Sequence, residues 1–154
     1  MPQMTDFYVL ELPAQCTLFR SAQVAVSELP SLIGSTYGEI EGMIAKSGAG
    51  FAGMPYVAFH NMDMDNLKVE IGIPVSAKID GAGEIASGKI SAGKFAGCIY
   101  MGPYTGMEST YEALTGWIAG LGLKPTGVVY EHYLNGPPEY LEEHYLTEIR
   151  FAVE

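Results

Sequence analysis

Two stretches of the chain, residues 35–61 and 109–135, carry the same pattern of residues. Both begin with Ser-Thr-Tyr and continue with apolar residues at matching spacing. The match resumes further on, where Glu70 and its neighbours correspond to Glu148 and its neighbours. Self-similarity of this length indicates two related half-domains. We therefore expect a single domain, residues 1–154, built from half-repeats of about residues 1–78 and 79–154.

Size and charge narrow the function classes. A chain of 154 residues is about one domain and can bury a core without metal or disulfide support. The formal net charge of −10 gives no cationic surface for a phosphate backbone, so we expect no direct nucleic-acid partner. No apolar run approaches the roughly 20 residues of a membrane span, and the N-terminus lacks a signal-peptide pattern. These features predict a cytoplasmic protein without a membrane partner.

Apolar periodicity in the first half predicts strands followed by a helix and two more strands. Residues 7–12 and 16–26 have strand-like apolar density. A helical stripe then runs as far as the glycines that begin at Gly48. Residues 55–60 and 67–75 alternate as a strand pair. The following segment, up to Ala92, is interpreted as the join between the halves.

The second half repeats this order. A strand at 95–101 precedes Thr105 and Glu108, whose spacing is that of a capping box at a helix start. Strands at 127–134 and 144–153 close the chain. The predicted apolar stripe of this second helix comprises Met107, Tyr111, Leu114, Ile118 and Leu121, with Trp117 at its edge. Two helices lying on a curved antiparallel sheet indicate an α+β fold.

The repeat is broken by a carboxylate. Val129, Glu131 and Tyr133 share one face of the penultimate strand. The repeat matches them to an apolar set in the first half, in which Val57 takes the place of Glu131. Glu131 should therefore point inward, toward the helices. A buried carboxylate is costly unless it is paired, hydrogen-bonded or protonated, and burial raises its pKa.

The side chains available around such an acid are aromatic. Rings around a buried negative charge form a receptor for a flat, lipophilic cation, since they combine apolar burial, stacking and cation-π attraction. An alternative is that these rings merely pack the core while Glu131 sits at a sheet edge in water. The predicted ligand-binding residues are Glu131 with Tyr37, Tyr111, Trp117 and Tyr133 as walls, and Tyr104 and Tyr145 as rim or floor contacts.

Three sequence features resemble the GyrI-like small-molecule-binding family. They are the Tyr-Glu-His-Tyr strand at 130–133 that runs into Asn-Gly-Pro, the Gly-Pro-Tyr entry to the second helix, and the Thr-Glu-Ile strand at 147–149. The family includes the effector domains of bacterial multidrug regulators of the MerR and AraC types. The resemblance implies two strand-helix-strand-strand units related by a pseudo-twofold axis. It also implies a functional acid on the penultimate strand, at the position of Glu131. The chain is interpreted as a stand-alone member without a helix-turn-helix.

Three functions remain open. The first is binding of bulky, hydrophobic, often cationic compounds. The second, which the family also implies, is hydrolysis of cyclopropanoid or other electrophilic toxins, with Glu131 and Tyr133 as catalytic residues and Tyr111 as an alternative hydrogen-bond donor. The third is inhibition of a protein partner, as in the gyrase-inhibitor branch, and a homodimer is a further option. No cofactor or metal is expected, because His60 and the nearby aspartates lack the pattern of a calcium loop.

Overall fold

The computed structural model of the protein describes residues 4–154. The chain forms two compact units. The first unit is Pro13–Ala92, and the second unit combines the stretch that ends at Leu12 with Gly93–Glu154. Across residues 4–154 the elements are β1 (Tyr8–Leu12), β2 (Gln15–Val24), α1 (Leu29–Ser47), β3 (Tyr56–Phe59), β4 (Leu67–Pro74), β5 (Ala86–Ile90), β6 (Gly93–Met101), α2 (Glu108–Gly120), β7 (Pro125–Tyr133) and β8 (Leu146–Val153). The α+β class predicted from the sequence is confirmed.

The first unit is one helix against a four-stranded antiparallel sheet. Its strand order is β5-β2-β4-β3. Helix α1 buries Leu29, Thr36, Ile40 and Ile44, which recur at the helical period. Gly48 follows the last helical residue, and its φ of 81° is the left-handed conformation that glycine adopts at low cost. This end of the helix agrees with the sequence prediction.

The segment between the half-repeats was interpreted as a join, and the structure shows that it contains a strand. Strand β5 pairs with β2 over five residues and buries Ile90. Its sequence, Ala-Ser-Gly-Lys-Ile, has one large apolar side chain, so apolar periodicity does not mark it. The proposed half-repeat boundary near residue 78 stays a prediction about the sequence.

The second unit has the same plan. Its strand order is β1-β6-β8-β7, with all three pairs antiparallel. Helix α2 buries Leu114 and Ile118 in a core with Ile149 and Phe151 of β8. In both units the strand before the helix lies between an outer strand and the second strand after the helix: β2 lies between β5 and β4, and β6 lies between β1 and β8. The strand directly after the helix is at the opposite end of the order from that outer strand. The strand-helix-strand-strand pattern predicted twice in the sequence is thus present twice in the structure.

The predicted capping box at the start of α2 is wrong. The helix begins at Glu108, and no side chain caps it, while Thr105 lies in a preceding 3₁₀ turn, Tyr104–Gly106. The phenol of Tyr100 donates a 2.8 Å hydrogen bond to the carbonyl of Pro103 and holds this turn before the helix. Leu121 was also predicted to lie in the apolar stripe. It follows the last helical residue and is 51% exposed.

No helix in the described part of the chain is long and apolar enough to cross a membrane.

Candidate functional site

Glu131 occupies the middle of β7 and faces α2. It pairs with Ile149 of β8, and Val129 on the same face of β7 belongs to the core beneath α2. Alternation along the strand therefore directs the Glu131 side chain toward the helix. The phenol of Tyr111, one turn into α2, donates a hydrogen bond to Glu131 Oε2. The inward orientation predicted from the repeat is confirmed by this contact.

Glu131 is held by two phenols, one on each carboxylate oxygen. Tyr111 donates to Oε2, and Tyr133, two residues along β7, donates to Oε1 at 2.9 Å. The residue as a whole is partly exposed, but its carboxylate lies among these side chains. A charged acceptor makes such hydrogen bonds stronger than those between neutral groups.

Burial of the Glu131 carboxylate raises its pKa above the ordinary value, and the hydrogen bonds from Tyr111 and Tyr133 partly offset the rise. The pKa of Tyr111 is raised well above its ordinary value by burial first, and then by the charge and hydrogen bond of Glu131. The Tyr111 phenol therefore stays protonated at neutral pH and remains a donor. The site therefore contains one acid whose pKa lies above its ordinary value and at least one phenol that stays a hydrogen-bond donor.

Two further rings, Tyr104 and Tyr145, extend this group of contacts. Tyr104 stacks on Tyr145 with ring centroids 4.9 Å apart and contacts Tyr133 edge-on at 5.6 Å. The pKa of Tyr104 is raised by burial, by Tyr145 and by the charge of Glu131. The ring of Tyr111 packs edge-on against Phe151 at 5.5 Å. We call Glu131 with Tyr104, Tyr111, Tyr133 and Tyr145 the Glu131 cluster.

Two further residues predicted as ligand walls, Trp117 and Tyr37, each make a contact within their own unit. Trp117 packs against Phe7 at 5.6 Å, with tilted rings, at the margin of the second unit's core. Tyr37 belongs to the first unit, where its phenol donates a 3.0 Å hydrogen bond to the carbonyl of Tyr56. The roles of Trp117 and Tyr37 as ligand walls stay predictions.

Val57 is the structural counterpart of Glu131. It pairs with Ile71 of β4, as Glu131 pairs with Ile149 of β8, and these isoleucines also correspond in the sequence repeat. Val57 is fully buried. The same position in two like-ordered sheets thus holds an apolar side chain in one unit and an acid in the other.

The face of β8 opposite to Ile149 carries a second group of polar side chains. Arg150 donates a 2.8 Å hydrogen bond to Glu148, which also accepts one from the phenol of Tyr8. Tyr8 lies 140 residues from Glu148 in the chain, so no local sequence pattern predicted this contact. Glu70, the repeat partner of Glu148, contacts His60 at 3.1 Å.

Within residues 4–154, no group of three or more His, Cys, Asp or Glu side chains is arranged to hold a metal ion.

A family model described as the GyrI-like small molecule binding domain matches residues 5–154. The chain belongs to this family. The resemblance found in the sequence is thereby confirmed over nearly the whole GyrI-like chain. Comparison with curated protein sequences gave no match.

Solved structures similar to this GyrI-like domain include EcmrR. The cryo-EM structure of an EcmrR–DNA complex gives a TM-score of 0.85 at 24% identity over 97% of this chain and 57% of that chain. The chain therefore spans little more than half the length of that relative. The crystal structure of the EcmrR C-terminal domain gives a TM-score of 0.82 at 23% identity and 98% coverage of both chains.

Two more distant structures share the fold. A hydrolase from Listeria innocua gives a TM-score of 0.73 at 13% identity, over 100% of this chain and 94% of that chain. SAV2435 bound to tetraphenylphosphonium gives 0.67 at 13% identity, over 97% and 94% of the respective chains. At these identities the similarity shows the fold alone.

Proposed function

We propose that this GyrI-like domain binds bulky lipophilic cations at the Glu131 cluster, with the Glu131 carboxylate as the charged anchor. One observation supports this more than any other: a carboxylate faces α2 among tyrosine rings, where its repeat counterpart is a buried valine. A purely structural position would keep the apolar side chain, because burying a carboxylate costs free energy.

The groups that hold Glu131 are neutral. The causes that set its pKa are burial and two phenol hydrogen bonds, so its charge is solvated by donors but not cancelled by them. A cation placed beside this carboxylate gains Coulomb energy that exceeds its value in water, since the surroundings are less polarisable. Tyrosine faces add cation-π attraction of about 0.5–2 kcal/mol each. Such a ligand would also lower the raised pKa of Glu131.

The hydrogen bonds narrow the class of cation. Both oxygens of Glu131 already accept a phenol hydrogen. A primary ammonium ligand would have to compete with Tyr111 or Tyr133 for these oxygens. A cation whose charge is spread over rings or enclosed in an onium centre needs no hydrogen bond and attracts the carboxylate through the field alone. We therefore assign delocalised and onium cations as the preferred ligands.

The structural neighbours suggest the probe. SAV2435 has been solved with tetraphenylphosphonium, a cation of this chemical class. Tetraphenylborate has nearly the same shape and the opposite charge, so the pair separates charge recognition from apolar burial. Binding of both ions is measured by calorimetry at pH 7.5.

The wild-type protein should bind tetraphenylphosphonium at least 10-fold more tightly than tetraphenylborate. Glu131→Gln should lose at least 10-fold in affinity for the cation and none for the anion. Glu148→Gln, on the other face of the sheet, is the matched control and should leave both affinities unchanged. Equal losses for cation and anion in Glu131→Gln would mean that the acid is part of the scaffold only.

Hydrolysis is the second candidate, because burial raises the pKa of Glu131, as in many general acids and bases, and one structural neighbour is described as a hydrolase. The hydrogen bonds argue against it, since Tyr133 and Tyr111 already donate to Glu131 and would have to leave it to stabilise an oxyanion. Chromatographic analysis of a cyclopropanoid substrate after incubation with the protein tests this. Product that forms with the wild type and is absent with Glu131→Gln would favour the enzyme.

A further inference from the structure

Tyr104 is the exposed end of a chain of contacts that leads to the Glu131 carboxylate. Tyr104 is 45% exposed, whereas Tyr145, on which its ring stacks, is 8% exposed. The ring of Tyr104 contacts the ring of Tyr133 in an edge-to-face arrangement, and the phenol of Tyr133 donates to Glu131. A path from solvent to the carboxylate therefore meets Tyr104 first, then Tyr133, and ends at Glu131.

The backbone beneath Tyr104 is fixed. The buried phenol of Tyr100 donates to the carbonyl of Pro103 at 2.8 Å. A Cβ added at Gly102 would lie 2.8 Å from this phenol oxygen, and one added at Gly106 would lie 2.4 Å from it. The two glycines let the turn close onto Tyr100, and this packing leaves little room for the turn to shift. The freedom that remains at this position is rotation of the Tyr104 side chain.

The other flank of the carboxylate is closed by the core. Tyr111 is on α2, and its ring packs against Phe151, which is buried at 7% exposure. Moving Tyr111 would disturb the core of the second unit, whereas moving Tyr104 breaks one ring stack and one edge contact. An aromatic pair of this kind is weak enough to open on a fast timescale.

We propose that Tyr104 controls access to Glu131, and that rotation of its ring away from Tyr145 opens the route by which a ligand reaches the carboxylate. This inference rests on the proposed function, because it assigns the entry route of the same site. Removing the ring should raise the rate of access by about 2- to 10-fold, which corresponds to the strength of one aromatic pair.

Thiol labelling tests the route without any ligand. Glu131→Cys is made in a Cys16→Ser background, which removes the exposed native thiol, and Cys98, fully buried, serves as the internal control. The probe is a methanethiosulfonate that carries a trimethylammonium group, and mass spectrometry follows its attachment. Adding Tyr104→Ala should accelerate labelling at position 131 and leave Cys98 unlabelled. An unchanged rate at position 131 would overturn the proposal.

Two more variants make the result specific. Tyr140 is 50% exposed in the same unit, so Tyr140→Ala controls for the loss of any exposed ring and should not change the rate. Tyr104→Trp places a larger ring at this position and should slow labelling at position 131. If Cys98 is also labelled in Tyr104→Ala, that substitution has loosened the fold. The test then rests on the labelling rate at position 131 in Tyr104→Trp, compared with the rate in the Glu131→Cys, Cys16→Ser protein. Faster or equal labelling in Tyr104→Trp then refutes the route.

Binding kinetics separate this inference from the proposed function. In stopped-flow experiments with rhodamine 6G, a fluorescent lipophilic cation, Tyr104→Ala should raise the association rate and the dissociation rate together. Glu131→Gln should raise mainly the dissociation rate. Accelerated labelling combined with no effect of Glu131→Gln would reject the cation anchor and keep the route. The reverse pattern would reject the route and keep the anchor.

Discussion

Glu131→Gln should make this GyrI-like domain more stable at neutral pH, although it removes a charged hydrogen-bond acceptor. The amide has nearly the shape of the carboxylate. Its oxygen can accept the hydrogen bond of Tyr111, and its nitrogen can donate to the oxygen of Tyr133. What the substitution removes is the cost of burying a charge, which is the largest cause of the raised pKa of Glu131.

The linkage between protonation of Glu131 and folding gives the sign of the stability difference and the pH range over which it changes. The folded pKa of Glu131 lies above the ordinary value of 4.5. Its contribution to stability is therefore complete below pH 4.5 and is lost as pH rises through the folded pKa. Within that window the wild type should lose up to about 1.4 kcal/mol per pH unit relative to Glu131→Gln, which cannot titrate. Above the folded pKa the difference should be constant.

Urea unfolding at pH values from 4 to 9 measures this difference. Trp117, the only tryptophan in the sequence, packs against the second unit's core and reports unfolding by fluorescence. The control is Glu148→Gln, which leaves the largely buried Arg150 without its carboxylate partner and should cost about 1–3 kcal/mol. If Glu131→Gln is less stable than the wild type at pH 7, or if the difference does not vary with pH, the desolvation argument is wrong.

Three further predictions concern single positions. Gly38 lies in the middle of α1 with open space around it, so Gly38→Ala should stabilise the protein by about 1 kcal/mol. Gly48→Ala should destabilise it, because Gly48 has a φ of +81°. Thermal melts that show the same sign of change for both variants would contradict this. Gly97→Ala would place a Cβ 2.2 Å from a carbonyl oxygen of β8, so we expect a loss of more than 3 kcal/mol, and near-neutral behaviour in urea unfolding would show that β6 can shift. Burial raises the pKa of Cys98 to about 11, so Ellman's reagent at pH 8 should modify one thiol per folded chain, the exposed Cys16; rapid reaction of two thiols would count against the burial of Cys98.

The orientation of Glu131 could be predicted because the repeat supplies a second copy of its strand. Side chains alternate along a strand, and a valine at the matching position marks the face that is buried. The helix end at Gly48 and the apolar stripe of α1 were also predictable, since both depend on local sequence. The position of Tyr133 beside Glu131 follows from the same alternation.

The errors have physical causes that lie outside local sequence. The spacing of Thr105 and Glu108 is that of a capping box, but Tyr100, on the preceding strand, holds the intervening turn by its phenol. Strand β5 has little apolar content and is stabilised by its pairing with β2. The contact of Tyr8 with Glu148 joins the two ends of the chain, so no pattern within a short window could reveal it.

The outer strand of each unit is joined in the chain to a strand of the other unit. Strand β1 leads directly into β2 but pairs with β6. Strand β5 leads directly into β6 but pairs with β2. A gene cut at the boundary of the sequence repeat would therefore produce two fragments, each carrying the border strand that the other needs. Expressed separately, each fragment would leave an open sheet edge that invites association with other chains. Co-expression of the two halves would supply both outer strands, so that β1 can pair with β6 and β5 with β2. A circular permutant whose new termini lie away from this boundary would keep the same pairs.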